Sequence, residues 1–438
     1  MSKCMAAATT ILLLASVAWA QVTTTTATAP TAPATAPVNG GAQAYMDWLD
    51  TCIAQVARQM PEITQSAEAA AKLYVEKGFP PSFTGNPTLA SEAYGRSGGL
   101  NNISWPGENL AKKDYRGAVV SFFGETKEQV DANLKEIEAA KKQGCLVIAV
   151  GTAANRRALK DAKIEVDYFL NSGAVEGGAL GKSGDKAILP TEPVAQMVVL
   201  WTWTSELVAA CTRLGKMPTM WQSIAIPEAV EWNKKTEGKQ FHDFEVKPVK
   251  AGTLGKGYLD ALAKVLKQIR DEEMQDIRKA AAQAVAAREA GHATYTFTHG
   301  HAIAHAHGSP YDPQYLKSIN QDWTKAQTDV LKKGDFVLTV GYISLYHGKQ
   351  WGEFDQKARA AGATIAWSFT GYNPDEVKLI ADGEVFIDQH WKKGDAEVSI
   401  EGYPINICPV SGIVAETILW SVQAEMAAQM ASVSKPAE

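Results

Sequence analysis

The chain repeats itself, and that repetition constrains its fold more than any other feature. Tyr45-Met46-Asp47 matches Tyr258-Leu259-Asp260, and Gly78 matches Gly291 at the same separation. Phe83-Thr84 followed by Leu89-Ala90 matches Phe297-Thr298 followed by Ile303-Ala304. Gly117 stands before one apolar run (118–123) as Gly334 stands before another (336–340), and Gly144 (before 145–150) matches Gly362 (before 363–367). The clearest match closes each unit: Pro190, Leu200-Trp201 and Glu206 against Pro409, Leu419-Trp420 and Glu425. Ordered matches at glycines, a proline and a tryptophan, all roughly 215 residues apart, predict two diverged copies of one domain.

Within each copy the pattern reads helix, strand, helix, strand, helix, strand, short strand, helix. Val130, Leu134 and Ile137 show the amphipathic spacing of a surface helix. The strand segments are continuous apolar runs, as expected where both faces are buried. Alternation of such strands with helices predicts an α/β fold: two tandem three-layer α/β/α domains with parallel sheets, related by a pseudo-two-fold axis. The expected boundaries are 42–250 for the first copy with a crossover segment, and 251–432 for the second, leaving a tail over 433–438. In such sheets ligands bind at the carboxyl ends of the strands, beside helix N-termini.

The first twenty residues predict a secretory signal, with Lys3 ahead of an apolar core at 11–14 and Ala18-Trp19-Ala20 as the cleavage site after Ala20. The expected location is therefore periplasmic or secreted. Residues 21–41, rich in Thr, Ala and Pro, predict an extended linker. No later segment is expected to span a membrane. Net charge is −5 with no basic block, so a nucleic-acid partner is not expected. Cys52, Cys145, Cys211 and Cys408 fall in apolar contexts and are expected as buried free thiols rather than bridges.

The strand-end loops resemble those of the sugar isomerase (SIS) domain family, in a subgroup whose first loop runs close to G-H-S-H-M-I-A-E-E-x-F-Y-R-A-G-G-L. Residues 84–100 keep Glu92, Arg96 and Gly98-Gly99-Leu100 of that pattern but carry Gly85, Asn86 and Pro87 where the family has His, Ser and His. In the second copy His299 and His301 are kept and the serine is Gly300. The family's second loop, S-N-S-G, falls on residues 124–127 and 341–344, where only Thr126 keeps a hydroxyl in place. Residues 381–388 with Gly394-Asp395-Ala396 match a late family pattern, and Ser223, Ala225, Glu231 and Asn233 echo a further one. The resemblance implies a sugar ligand, isomerase-like chemistry, no cofactor, and the capacity to form a homodimer. Loss of the phosphate-loop serines favours an unphosphorylated sugar, because a phosphate wants converging hydroxyls and N–H groups.

Aldose–ketose isomerisation needs a group to move a proton between adjacent carbons, for which a carboxylate of raised pKa and a histidine suffice. The candidates are Glu92, Glu125, Glu231, His299 and His301, with Thr84, Asn86, Arg96, Gly124, Thr126, Ser223, Asn233, Gly300, Tyr342 and Ser344 as ligand contacts. Glu92 also reads as an i,i+4 helix partner of Arg96. His299, His301 and His305 could instead hold a metal, since i,i+4 histidines share a helix face. A non-catalytic sugar-binding protein and a metal-assisted hydrolase or lyase are the alternative functions. Trp201 and Trp420 are expected in the core; Trp221, Trp351 and Trp367 are candidates for stacking on a sugar.

Overall fold

The structure, a computed structural model, describes residues 40–433 except 106, 224–225, 301–307, 322–324, 342–352, 373 and 379. The signal, most of the linker, His301, His305, His307, Tyr342, Ser344, Trp351, Ala225 and the last residues lie outside the described residues.

In the first copy the order is α1 (Gly41–Arg58), α2 (Met60–Lys77), β1 (Ser82–Gly85), α3 (Pro87–Ala93), β2 (Ala118–Phe122), α4 (Lys127–Gln143), β3 (Leu146–Gly151), α5 (Ala153–Asp161) and β4 (Tyr168–Asn171). A hairpin, β5 (Ala179–Ser183) and β6 (Lys186–Pro190), then leads into the closing helix α6 (Glu192–Arg213). After α7 (Ala229–Thr236) the second copy begins: α8 (Thr253–Gln268), a π-helical turn (Ile269–Glu273), α9 (Met274–Glu289), β7 (Thr294–His299) and β8 (Lys317–Ser318). It ends with β9 (Phe336–Gly341), α10 (Phe354–Ala361), β10 (Thr364–Phe369), α11 (Pro374–Val377), β11 (Val385–Asp388) and α12 (Ser411–Val433). The single helix expected ahead of the first strand is thus two, broken at Gln59 with Pro61 in the first turn of α2.

Both sheets are parallel, as the apolar runs require. One has the order β1-β2-β3-β4; the other repeats it as β7-β9-β10-β11, with β8 added beyond β7. Strands β2 and β9 are buried along their whole length. Their alternate residues feed different cores. Ala118, Val120 and Phe122 of β2 with Phe336, Leu338 and Val340 of β9 face a central helical layer, whereas Val119 and Val337 face outer helices.

The central layer ties the copies together by exchange. α2 packs on α6 and α9 on α12, each within its copy, but α1 packs on α12 and α8 on α6. Matched residues hold these packings both within and across the copies. The Tyr45 hydroxyl donates to the Pro190 carbonyl (2.8 Å) and that of Tyr258 to the Pro409 carbonyl (2.9 Å). Glu206, wholly buried in α6, accepts the N–H groups of Gly252 and Gly255 at the start of α8 (2.8 Å each). Glu425 of α12 accepts the Ala42 N–H at the start of α1 (3.3 Å). Each closing helix therefore caps the first helix of the other copy, where free N–H groups and the helix dipole favour a carboxylate.

α6 corrects one expectation: it has the length and apolar composition of a membrane span. It is buried all round between the sheets, which accounts for that composition without a membrane. Trp201 and Trp420 lie in the core as expected, and the four described cysteines are buried free thiols.

Candidate functional site

The loop after β2 is where sequence and structure meet most directly. Three of its backbone N–H groups, which in a phosphate cradle would point at an anion, are already bonded. Gly124 N–H donates to Asn133 Oδ1 (2.9 Å), and those of Glu125 and Thr126 donate to Gln129 Oε1 (2.8 and 3.1 Å). The Thr126 hydroxyl accepts from Gln129 N, completing a capping box at the start of α4. The neighbouring loops are closed in the same way. Asn86 accepts the Thr88 N–H (3.0 Å), and Asn155 accepts the Thr152 N–H (2.8 Å). Asn86 and Thr126 therefore serve as helix caps. Gly85 has φ +90, and a Cβ there would stand 2.1 Å from the Phe122 carbonyl oxygen, so the family's histidine has no room at this position.

Glu125 is the ionisable group of that loop, and it is half-buried. Burial pushes its carboxyl up to about 8, the charges of Glu192 and Glu416 adding to the effect and a hydrogen bond from Ser309 opposing it. That bond (2.9 Å) comes from the second copy. The hairpin β5–β6 holds the donor segment in place: Leu189 N–H donates to the Tyr311 carbonyl (2.9 Å), and Lys186 Nζ to that of Asp312 (2.8 Å). Tyr311 packs against Gly178, where any Cβ would lie 2.4 Å from its ring. Glu192, at the start of α6, is buried, and burial raises its carboxyl to about 7. Its partner Gln196 donates to the Phe123 carbonyl at the end of β2 (2.7 Å). Tyr311 is half-buried and its hydroxyl is pushed up by burial and then by the charges of Glu125 and Glu192. The strand ends of the first sheet thus carry a composite constellation of Glu125, Glu192, Ser309 and Tyr311. Glu192, Ser309 and Tyr311 escaped sequence reasoning. The one available signal was the place of Glu192 two residues after the matched Pro190, at a helix N-terminus.

Other candidates lie elsewhere. Glu92 is fully buried with its carboxylate on Arg96 Nε (3.0 Å); Arg96 Nη2 meets Asp395 Oδ2 (3.1 Å) and Ser411 Oγ (2.7 Å) from the second copy. This ion cluster lies in the interior between the copies, and both residues are engaged there in structural pairs. Glu231 is 83% exposed on α7, opposite Lys235, and open to water. Asn233 pins the backbone of Gln222 through both amide atoms (2.9 Å each), and Ser223 is buried in the same segment, which runs beside residues 98–101. Thr84 and Ser121 pair across β1 and β2, and neither buried hydroxyl has a partner among the described residues.

At the second sheet, the His299 ring lies against the backbone of Gly341, where a Cβ would stand 1.7 Å from it. Burial pushes this imidazole down to about 3, so it is neutral at physiological pH. Gly300 follows with φ +129. The alternative metal set of His299, His301 and His305 has only its first member among the described residues. Trp367 is not a sugar platform: it is fully buried and donates to Glu384 (2.7 Å).

No protein-family model matches the chain. No curated protein matches its sequence. Among solved structures, the C-terminal domain of glucosamine-fructose-6-phosphate aminotransferase from Francisella tularensis is 12% identical. The match covers 86% of this chain and 95% of that one, at a TM-score of 0.46. A putative sugar binding protein from Salmonella typhimurium LT2 is 11% identical over 87% and 98%, at 0.47. A putative phosphosugar isomerase from Clostridium difficile 630 is 11% identical over 91% and 96%, at 0.45. These are likenesses of overall arrangement with TM-scores below one half, and the reading of the site rests on the chain's own residues.

Proposed function

We propose that this protein binds an uncharged sugar or sugar derivative at the carboxyl ends of the first sheet and, as an exported isomerase-like enzyme, moves a proton on it through Glu125. The observation that carries the reading is the loop after β2. Its N–H groups at 124–126 are spent on Gln129 and Asn133, which weakens the loop as a phosphate cradle, while its carboxyl is held near 8. A carboxyl tuned close to working pH is protonated often enough to assist ring opening and ionised often enough to take a proton from carbon. Glu192, held near 7, is a second acid–base group beside it. Ser309 and Tyr311 orient the sugar from the other copy.

Calorimetric titration with free aldoses and ketoses, and with their 6-phosphates, tests the ligand; proton exchange at C2, followed by NMR in deuterated water, tests the chemistry. Binding of free sugars with a penalty for phosphate is expected. Glu125→Gln keeps binding and loses exchange by at least about a hundredfold, in the range typical of a lost general acid–base. Tighter binding of the phosphates, or exchange that persists in the variant, refutes the proposal. Binding without exchange in the parent protein leaves a sugar-binding protein and refutes the catalytic part.

A further inference from the structure

The turn between the first two helices of each copy packs on the end of that copy's last strand, and the two copies close this corner with different chemistry. In the first copy the groups are neutral. Gln59 accepts the Asn171 N–H (2.7 Å) and donates to the Asn171 carbonyl (2.8 Å), and Asn171 Oδ1 accepts the Gly173 N–H (2.9 Å). The corner is then satisfied without a charge.

The second copy keeps the same frame: Glu273 Oε2 accepts the Asp388 N–H (3.0 Å), and Asp388 Oδ1 accepts the His390 N–H (2.9 Å). It replaces the amides with carboxylates and adds two ligating groups. The π-helical turn brings the consecutive residues Glu272 and Glu273 to one partner, the imidazole of His390. Its Nε2 lies 2.8 Å from Glu273 Oε1 and 3.9 Å from Glu272 Oε2. One ligand atom from each of the three residues falls within 4.8 Å of the others. Asp388 Oδ2 lies 3.9 Å from Nδ1, on the far side of the ring. His390 holds this position at φ +54, a backbone state that costs energy in any residue with a side chain. Among the described residues no lysine or arginine pairs with Glu272, Glu273 or Asp388. Three carboxylates around one imidazole leave an excess of negative charge that the first copy shows the fold does not need.

We propose that Glu272, Glu273 and His390 form a divalent-cation site, with Asp388 holding the backbone of His390 in place. One imidazole nitrogen with two carboxylates suits zinc or manganese, and the exposed side of Glu272 leaves the remaining positions to water. Asp388 Oδ1 accepts the backbone N–H groups of His390 and Gly371 and so fixes the segment that carries the imidazole. The site is separate from the Glu125 constellation and does not depend on the reading of that site.

The test is calorimetric titration of the chelator-stripped full-length protein with zinc and with manganese chloride. One ion per chain is expected. Glu272→Gln, a change to an exposed side chain that leaves the core intact, weakens binding by at least about tenfold, and His390→Ala by about a hundredfold. The double variant His301→Ala/His305→Ala leaves this binding in place. No binding in the parent protein, binding that survives both Glu272→Gln and His390→Ala, or binding lost only in the His301/His305 variant overturns the proposal.

Discussion

Glu416 offers the sharpest physical test of the interior. It lies wholly buried in α12, with the Trp420 indole donating to one carboxylate oxygen at 3.5 Å and no partner for the other among the described residues. Burial raises its carboxyl from the ordinary 4.5 to about 8. Between these values the folded protein keeps a proton that the unfolded chain has released, so stability falls as pH rises through the interval, by up to about 1.4 kcal/mol per unit. The full interval corresponds to about 5 kcal/mol, of which local relaxation leaves roughly 2–4 kcal/mol. Glu416→Gln removes the ionisation while keeping the shape. The matching position in the first copy is Met197, buried in α6, so an apolar side chain also suits the site, and Glu416→Met should behave alike. Urea denaturation followed by tryptophan fluorescence at pH 5, 6.5 and 8 reads the effect. Near pH 4.5 variant and parent should differ little; at pH 8 the variant should be more stable by roughly 2–4 kcal/mol. A parent that gains stability from pH 5 to 8, or a variant that follows it at constant offset, would refute the reasoning.

Arg96→Met leaves Glu92 and Asp395 buried without their cation and should cost about 3–5 kcal/mol in the same assay; a loss below about 1 kcal/mol would mean that both acids are neutral in the folded protein. Glu206→Ala strips the buried Gly255 N–H and the half-buried Gly252 N–H of their acceptor and should cost roughly 2–4 kcal/mol. Glu425→Ala, at the matched but less buried cap with its one longer bond to Ala42, should cost about 1 kcal/mol, and equal losses would contradict the geometry. Gly341→Ala must displace the His299 ring and should cost about 1–3 kcal/mol, measured by thermal melting; a neutral result would show that the ring does not rest there.

The fold was legible because it is written twice. Glycines before strands, the paired prolines and the paired tryptophans are positions where backbone geometry or volume fixes the residue, so they survived divergence. The exchange of first helices was present in the same matches, in Glu206 and Glu425, but a buried carboxylate reads as a surface residue until its N–H partners are known. The site was less legible for a related reason. Local spacing brought out Glu125, which belongs to the second-strand loop. It could not bring out Ser309 and Tyr311, which reach that loop only because the β5–β6 hairpin, an insertion in the parallel pattern, carries them there. Glu92 and Arg96 matched a pattern for a different reason, as an i,i+4 pair whose further partners, Asp395 and Ser411, lie far along the chain.

The copies have diverged in a consistent direction. The first has closed its anion-binding helix N-termini with its own amides, Asn86, Gln129, Asn133 and Asn155, and gathers raised-pKa carboxyls in front of them. A phosphate approaching that sheet would have to break several hydrogen bonds and meet acidic groups, whereas a hydroxylated neutral ligand would meet donors and acceptors ready to exchange. The second copy has kept a neutral buried imidazole at its first strand and turned the corner of its last strand acidic. The paired residues that join the copies, Tyr45 and Tyr258, Trp201 and Trp420, Glu206 and Glu425, are kept, whereas these polar groups at the strand ends differ. The kept residues sit where the copies meet, and the polar differences sit at the ends of the strands.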